Sequence, residues 1–291
     1  MSVAQSCSKP GLEPDPLRVA LHAQWETVAG GWAEHARHVD ARGAGVADTM
    51  LERSAPRPGD RVLELACGPG GVGLAAAALV APDGEVVLSD VAVAMTAIAR
   101  RRAAALGLGN VSTRELDLER VDEPDGGFDV VLCREGIMLV PDPGLAAREL
   151  RRILRPGGRA ALAVWGERER NPWLGVLFEA LGAHFGAPVP PPGVPGPFSL
   201  ADPDRLAALM RDAGLSDVVV EEVPNPFRAA SFAEWLATVP ALAGPVARML
   251  AALDPEAVAT IRASAQAALE PYRSPSGLEI PGLTLVAAAR R

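Results

Sequence analysis

Lysine is almost absent from this chain of 291 residues. Lys9 is the only one, so arginine supplies nearly all of the positive charge, and acidic residues outnumber basic ones by 36 to 28. The formal net charge is −8, and no basic stripe is visible along the sequence. A nucleic-acid partner would require a positive surface that neutralises phosphate groups. The composition therefore argues against a nucleic-acid substrate.

Long hydrophobic runs and a cysteine framework are missing as well. No stretch reaches the roughly 20 uncharged apolar residues of a membrane-spanning helix, so we expect no span. The first 16 residues contain no hydrophobic run, and we expect a disordered tail there rather than a signal peptide or an anchor. The three cysteines, Cys7, Cys67 and Cys133, are far apart and odd in number, which indicates neither a disulfide framework nor a zinc site. Such cysteine usage suits a reducing cytoplasm.

The middle of the chain alternates between apolar runs typical of buried strands and patterns typical of helices. This alternation predicts an α/β fold with a mostly parallel sheet and crossover helices. The predicted strands are Arg61–Ala66, Glu85–Ser89, Val111–Glu115, Phe128–Cys133, Arg159–Val164, Asp217–Val223 and Leu283–Ala289. The predicted helices are Gly71–Val80, Val93–Leu106, Gly144–Leu154, Pro172–Phe185 and Pro203–Ala213.

Segments outside this alternation indicate further structural units. Residues 17–54 are expected to form an N-terminal helical cap, and residues 55–223 together with 282–291 the core. Residues 224–281 look helical throughout and separate the last two predicted strands, so we expect a helical insertion that acts as a lid. The sequence is also compatible with a homodimer.

A glycine-rich turn follows the first predicted strand, in the run Val62–Gly73 (VLELACGPGGVG). Glycine at such a turn lets a ligand approach the backbone, because no Cβ stands in the way. Gly68, Gly70 and Gly73 have the G-x-G-x-x-G spacing, and Asp90 ends the next strand about 20 residues later, where a carboxylate can accept hydrogen bonds from ribose hydroxyls. The spacing predicts a nucleoside-containing ligand without deciding between a nicotinamide dinucleotide and S-adenosylmethionine.

Two residues near this turn bear on that choice. Pro69 has no N–H, which weakens the turn as a cradle for a pyrophosphate but does not affect a ligand without phosphate. Glu64 lies at the end of the strand, where its carboxylate either accepts hydrogen bonds from backbone amides or reaches the ammonium group of the ligand. An NAD-linked oxidoreductase is kept as the alternative from another enzyme class.

The run Val62–Gly73 resembles the first motif of class I S-adenosylmethionine-dependent methyltransferases, especially the ubiquinone/menaquinone-biosynthesis-like (methyltransferase type 11) branch. Four further segments match motifs of that family in the same order: Ser89–Met95, Asp117-Leu118, Phe128–Cys133 and Glu149–Gly158. The resemblance covers about residues 20–223. It implies a Rossmann-like, seven-stranded, mostly parallel sheet with helices on both faces and an antiparallel last strand, and S-adenosylmethionine as the cofactor.

The resemblance also implies contacts with the methionine portion of the cofactor. Ala66, Gly68 and Gly70 are expected to line that portion, and Glu64 is the candidate partner of its ammonium group. Arg134, just past the fourth strand, occupies the position whose backbone lines both the methionine and the acceptor pocket.

The adenosine portion is assigned in the same way. Asp90 would hold the ribose hydroxyls, with Val91 and Met95 against the adenine. Asp117 would accept a hydrogen bond from the adenine amino group, beside the backbone of Leu118.

Trp25 and Trp32 match aromatic positions in the family's N-terminal helices that close over the cofactor, although both residues also suit ordinary packing.

The acceptor pocket is the least constrained part of the prediction. The segment Trp165–Phe198 and the insertion carry apolar and aromatic side chains, and we expect them to form walls over the strand ends. A small hydrophobic or aromatic metabolite of secondary metabolism, methylated on oxygen or carbon, is the preferred acceptor.

Methyl transfer from a sulfonium requires alignment of the acceptor and, where the acceptor loses a proton, a general base. The candidate bases are His35 and His38 in the cap, His184 after the fifth strand, and Glu135 beside the fourth strand; His22 is a further histidine of the cap. The histidines form no convincing metal set with carboxylates, so no metal is expected. A protein that binds S-adenosylmethionine without methylating is also kept as an alternative.

Overall fold

The computed structural model describes residues 16–291, and it contains one large and one small β-sheet. The strands are β1 Arg61–Glu64, β2 Glu85–Asp90, β3 Val111–Glu115, β4 Phe128–Arg134, β5 Leu154–Trp165, β6 Ser216–Pro224, β7 Phe227–Ala229, β8 Arg273–Ser274, β9 Gly277–Ile280 and β10 Leu283–Arg290. The helices are α1 Pro16–Glu34, α2 Ala36–Arg42, α3 Ala44–Ser54, α4 Gly71–Val80, α5 Val93–Ala105, α6 Pro143–Ile153, α7 Pro172–Phe185, α8 Pro203–Asp212, α9 Phe232–Leu242, α10 Gly244–Ala251 and α11 Pro255–Leu269. The expected N-terminal tail lies outside the described residues, except for Pro16, which begins α1.

The large sheet has seven strands in the order β3-β2-β1-β4-β5-β10-β6. β1 pairs in parallel with both β2 and β4, while β10 runs antiparallel between β5 and β6. The predicted seven-stranded, mostly parallel sheet with an antiparallel last strand is confirmed. Because β1 lies between β2 and β4, the strand order reverses there, and a crevice opens at the carboxyl ends of these strands.

Helices cover both faces of this sheet. Successive residues of a strand point in opposite directions, and because both sets of side chains are apolar, both faces have to be buried. Val62 of β1 belongs to a buried cluster that includes Met50 of α3 and Ala77 of α4. Its neighbour Leu63 belongs to a second buried cluster that includes Leu177 of α7. The alternation of the sequence thus places α3, α4 and α5 on one face and α6, α7 and α8 on the other.

The insertion between β6 and β10 is only partly helical. We expected helix throughout residues 224–281, but β7, β9 and β8 form a three-stranded antiparallel sheet beside α9, α10 and α11. The expectation was wrong there because β7 has three residues and β8 two, too few to show a strand period. Trp235 of α9 is fully buried, and its Nε1 donates to the carbonyl of Trp173 at 2.9 Å, which joins the insertion to α7.

Within residues 16–291, no helix is both long and apolar enough to cross a membrane. The same residues contain no group of three or more histidine, cysteine, aspartate or glutamate side chains that is placed to hold a metal ion.

Candidate functional site

The glycine-rich turn after β1 has a left-handed backbone at several positions. Ala66, Gly68 and Gly70 have φ angles of 50°, 51° and 88°. A left-handed backbone is uncommon for alanine and costs free energy. Residues in such strained conformations cluster at functional sites. A Cβ on Gly68 would meet only the Trp32 ring, at 3.8 Å, so space is left above this residue. A Cβ on Gly70 would instead lie 2.9 Å from Leu88, because Gly70 faces the core.

Glu64 caps the helix that begins after this turn. Its side chain is 1% exposed, and its Oε2 accepts a hydrogen bond from the Gly73 N–H at 2.8 Å. Burial raises the pKa of this carboxyl to about 7, against the charge of Arg134 and the backbone hydrogen bonds from Gly73 and Val72, which lower it. The carboxyl group thus occupies the first turn of α4, where the pyrophosphate of a dinucleotide would bind.

Asp90 ends β2 and fixes the backbone on both sides of the crevice. Its Oδ2 accepts from the Gly68 N–H at 2.9 Å, and its Oδ1 accepts from the Ala92 N–H at 3.0 Å. Burial raises the pKa of Asp90, while the backbone hydrogen bonds from Ala92 and Gly68 oppose that shift. Asp90 as a whole is 7% exposed, and it lines the crevice.

A cavity of about 800 Å³ lies at the carboxyl ends of β1, β2 and β4. This volume is at the upper end of the roughly 300–1,000 Å³ typical of small-molecule sites. The predicted site residues that line it are Trp25, Trp32, His38, Ala66, Gly68, Asp90, Val91, Met95, Asp117, Leu118, Arg134 and Glu135, together with His22. The structure therefore brings together residues that the sequence places more than 100 positions apart.

Four predicted site residues do not line the cavity: Glu64, Gly70, His35 and His184. Glu64 points into α4, and Gly70 is buried against Leu88. His35 lies at the break between α1 and α2. His184 is exposed near the end of α7, where its ring contacts Phe185.

Helix α1 brings basic side chains to the end of the cavity that contains Asp117. His22 Nε2 lies 3.7 Å, and Arg18 Nε 3.8 Å, from Asp117 Oδ2. Arg18 also contacts Glu119 at 3.1 Å. The Asp117 carboxylate accepts in addition from the N–H of Glu119 at 2.8 Å, so it is held in one orientation beside Leu118.

Trp32 connects the N-terminal cap to the insertion above the glycine turn. Its Nε1 donates to the carbonyl of Leu242 at 3.1 Å, at the end of α9. Gly31 lets the two helices approach closely, since a Cβ there would clash with the Ala241 backbone. The cap and the insertion therefore cover the cavity together.

At the other end of the cavity, Arg42 lies among three aromatic rings. Its guanidinium carbon is 3.8 Å from the ring centroid of Trp173, 4.7 Å from that of Trp165 and 5.1 Å from that of Phe227. Burial lowers its pKa to about 9; the charge of Glu135 acts in the opposite direction, and that of Arg134 adds to the lowering.

Polar groups near Arg42 lack partners within the described part of the chain. Arg42 donates to the Asn225 carbonyl at 3.3 Å, yet its Nε has no partner. The Nε2 of His38, one helical turn before Arg42, and the Oδ1 of Asn225 are also buried without a hydrogen bond. Burial lowers the pKa of His38 most. The charges of Arg42 and His35 lower it further, and the charge of Glu234 opposes the shift.

Glu135 follows β4 in a left-handed conformation, with φ at 59°. The adjacent Gly136 packs against Ala66, where a Cβ would clash, so the turns after β1 and β4 lie back to back. Burial raises the pKa of the Glu135 carboxyl, and Arg134 and Arg42 partly offset that shift.

The sequence did not identify Arg42, Asn225 or Trp165 as site residues. They lie in α2, just after β6 and at the end of β5, and no local motif connects them. One signal was present: Arg42 follows His38 by four residues, which places both on one face of a helix.

Comparison with known proteins agrees with the motifs. Residues 62–158 match a family model described as a methyltransferase domain. The ubiquinone/menaquinone biosynthesis C-methyltransferase UbiE of Ectopseudomonas mendocina is 37% identical over 136 residues, which are 46% of this chain and 53% of that protein. UbiE of Teredinibacter turnerae is 38% identical over 110 residues, 38% of this chain and 44% of that protein. The chain spans about half the length of the curated relatives it matches.

Solved structures share the fold at low sequence identity. YcgJ from Bacillus subtilis is 18% identical with a TM-score of 0.56, and the match covers 84% of this chain and 97% of that one. The [4+2]-cyclase SpnF is 22% identical with a TM-score of 0.53, covering 84% of this chain and 80% of that one.

Proposed function

Since the chain carries a class I S-adenosylmethionine-dependent methyltransferase domain, we propose that it transfers the cofactor's methyl group to a small, largely apolar acceptor. One observation carries the proposal. A single cavity extends from Asp90 and Asp117, the residues expected to bind adenosine, to an apolar chamber beside Trp165 and Trp173. Cofactor and acceptor would therefore share one continuous cavity.

The residues at the Asp90 end fit the cofactor. The space above Gly68 leaves room for the methionine portion, and the Asp90 carboxylate is available to ribose hydroxyls at the cavity wall. Met95 and Leu118 offer apolar contacts to the adenine, and Asp117 an acceptor for its amino group. When bound, S-adenosylmethionine supplies an activated methyl group on a sulfonium centre. The residues of the chain bind the cofactor and the acceptor, orient them towards each other and exclude water.

Alignment is the main task that such a reaction leaves to the protein, and positioning supplies up to roughly 7–11 kcal/mol. For an acceptor that must lose a proton, His38 and Glu135 are the proposed bases among the sequence candidates, because both line the cavity. The lowered pKa of His38 keeps its imidazole neutral near pH 7, and its Nε2 has no partner among the described residues.

The position of Glu64 argues against the dinucleotide alternative. Its carboxyl group accepts from the amides of α4 that would have to bind a pyrophosphate. Pro69 provides no N–H, and the Gly70 N–H is already bonded to the Cys67 carbonyl at 2.7 Å. A negatively charged pyrophosphate would meet a carboxyl group there instead of free amide donors.

Calorimetric titration of the purified protein with S-adenosylmethionine, S-adenosylhomocysteine and NAD tests the cofactor. We expect binding of the first two and none of NAD; NAD binding in their place would contradict the proposal. Transfer is tested by incubating the protein with S-adenosylmethionine that carries a labelled methyl group and a panel of phenols and enols. Label in an acceptor product supports methyl transfer. Cofactor binding without any labelled product across the panel would favour the non-methylating alternative.

A further inference from the structure

The apolar end of the cavity contains the guanidinium of Arg42, on which the charge of Glu135 acts without a direct contact. Within residues 16–291, no carboxylate oxygen lies within 4.0 Å of the Arg42 guanidinium. Three aromatic rings surround it instead, the nearest being Trp173 at 3.8 Å from the guanidinium carbon. Cation–π contacts stabilise such a cation only in part, and a desolvated guanidinium also requires hydrogen-bond acceptors.

Asn225 lies beside Arg42 and is held firmly. Its backbone N–H donates to the Gly282 carbonyl at 2.7 Å, and its Nδ2 donates to the Thr284 hydroxyl at 3.0 Å. Gly282 permits this contact, because a Cβ at that position would clash with the Asn225 carbonyl and lie 3.4 Å from Arg42. Asn225 is 1% exposed and lines the cavity, yet its Oδ1 accepts nothing from the described residues.

Besides His38 Nε2, a donor and an acceptor near Arg42 lack hydrogen-bond partners within the described residues. Arg42 Nε is a donor, and Asn225 Oδ1 is an acceptor. A buried polar atom without a partner costs about 1–3 kcal/mol, so native proteins seldom leave several of them next to one another. The two residues contact each other through the hydrogen bond from Arg42 to the Asn225 carbonyl, and both line the cavity. A ligand group that both accepts and donates a hydrogen bond would satisfy the unpartnered donor and the unpartnered acceptor together.

We propose that Arg42 and Asn225 bind a hydroxyl group of the methyl acceptor, and that this hydroxyl is an acidic one, belonging to a phenol or an enol. The hydroxyl oxygen accepts from Arg42, and its hydrogen is donated to Asn225 Oδ1. The aromatic rings around Arg42 contact the apolar body that carries the hydroxyl. This assignment rests on the proposed function, since it names the acceptor class of the same cavity.

A hydroxyl fits better than a carboxylate for a simple reason. A carboxylate only accepts hydrogen bonds, so it would satisfy Arg42 and leave Asn225 Oδ1 facing a second acceptor. An acidic hydroxyl suits this pair better than an alcohol. Its hydrogen is the stronger donor to Asn225 Oδ1, and its oxygen still accepts from Arg42 Nε, which has no other partner among the described residues.

Binding of three matched probes tests the assignment without any knowledge of the natural acceptor. The probes are 2-naphthol, which has an acidic hydroxyl, 2-methoxynaphthalene, which accepts but cannot donate, and 2-naphthoate, which is anionic without a donor. Titrations are followed by tryptophan fluorescence on protein saturated with S-adenosylhomocysteine and on protein without it. We expect 2-naphthol to bind at least about tenfold more tightly than either other probe.

Two substitutions of Arg42 and one matched control localise the effect. Arg42→Gln should remove the preference for 2-naphthol, and Arg42→Lys, which keeps the charge, should retain part of it. Arg37→Gln, on the exposed side of the same helix and outside the cavity, should leave the preference unchanged. Calorimetry with S-adenosylhomocysteine shows whether each variant is still folded.

The outcomes separate this assignment from the proposed function. Equal binding of 2-naphthol and 2-methoxynaphthalene to the wild-type protein would overturn the assignment, even if Arg42→Gln failed to fold. Tighter binding of 2-naphthoate than of 2-naphthol would contradict the assignment of a hydroxyl and indicate a site for an anion. If a folded Arg42→Gln variant kept the full preference for 2-naphthol, residues other than Arg42 would bind the hydroxyl, and the assignment would be wrong. If the wild-type protein did not bind S-adenosylhomocysteine at all, that result would contradict the proposed function instead.

Discussion

The Oδ2 atom of Asp90 accepts a hydrogen bond from the N–H of Gly68 at 2.9 Å, and this bond joins the end of β2 to the turn after β1. The same carboxylate holds the N–H of Ala92 at 3.0 Å. Asp90 therefore shapes the turn and faces the cavity at the same time. If Asp90 binds adenosine as proposed, a change at this residue would act on that binding both directly and through the position of Gly68.

Asp90→Asn is the substitution that best separates these two roles. Asparagine keeps an oxygen acceptor for one of the two amides and fits the same space, but it removes the negative charge that two ribose hydroxyls would share. We expect the protein to fold and the affinity for S-adenosylmethionine to fall by about tenfold or more, measured by calorimetry. Asp83→Asn in the exposed turn before β2 is the control. Equal affinities of Asp90→Asn and the wild-type protein would argue against this site.

The raised pKa of Glu64 predicts a pH dependence of stability. The pKa is 4.5 for an ordinary glutamate and about 7 in the folded protein. The folded state therefore retains a proton that the unfolded state has lost, and the free energy of unfolding decreases as the pH rises from about 4.5 to 7. The contribution is on the order of a few kcal/mol.

Glu64→Gln tests this dependence. Glutamine keeps an oxygen for the Gly73 amide and cannot ionise, so the variant should lose less stability than the wild-type protein between pH 5 and pH 8. Urea unfolding at both pH values provides the comparison, with Glu85→Gln on the exposed start of β2 as the control. Identical pH slopes for Glu64→Gln and the wild-type protein would mean that Glu64 is already ionised at pH 5.

Gly73 allows the close contact between α4 and β1. A Cβ there would lie 2.7 Å from Glu64 Oε2 and closer still to Leu88. Gly73→Ala should therefore cost about 1–3 kcal/mol of stability through overpacking, measured by urea unfolding. Gly45→Ala in α3, where a Cβ would meet nothing within 4 Å, should be neutral or stabilise by up to about 1 kcal/mol. Similar effects of the two substitutions would mean that the α4 contact has room to relax.

Trp32 should control how quickly the cofactor leaves. Trp32→Phe keeps an aromatic ring over Gly68 but removes the hydrogen bond to the Leu242 carbonyl, so the contact between α1 and α9 is weakened. We expect severalfold faster dissociation of S-adenosylhomocysteine in stopped-flow displacement, and a larger increase for Trp32→Ala. Hydrogen exchange in residues 232–242 should rise in both variants. Unchanged dissociation in Trp32→Ala would mean that this contact does not close the cavity.

Local patterns were sufficient to predict the sheet and most of the residues that line the cavity around Asp90. The strand period, the turn around Gly68 and the spacing to Asp90 are all contained in short stretches of sequence. The match of residues 62–158 to a methyltransferase domain agrees with these motifs. Contacts of this kind can be predicted because each depends on residues near to one another along the chain.

The end of the cavity around Arg42 could not be predicted in the same way. Arg42 and Asn225 are 183 residues apart, and only the fold makes them neighbours. The three-residue strand β7 pairs with β9 about 50 residues later, which no local period reveals. His35 and His38 have the spacing of one helix face, but the helix is interrupted at His35, and only His38 reaches the cavity.

A crystal structure of the complex with S-adenosylhomocysteine tests the central claim most directly. We predict density for the ribose hydroxyls at the Asp90 carboxylate, for the adenine between Met95 and Leu118 with its amino group near Asp117, and for the homocysteine portion above Gly68. Density for this ligand elsewhere on the protein, with the crevice beside Asp90 filled only by water, would contradict the account.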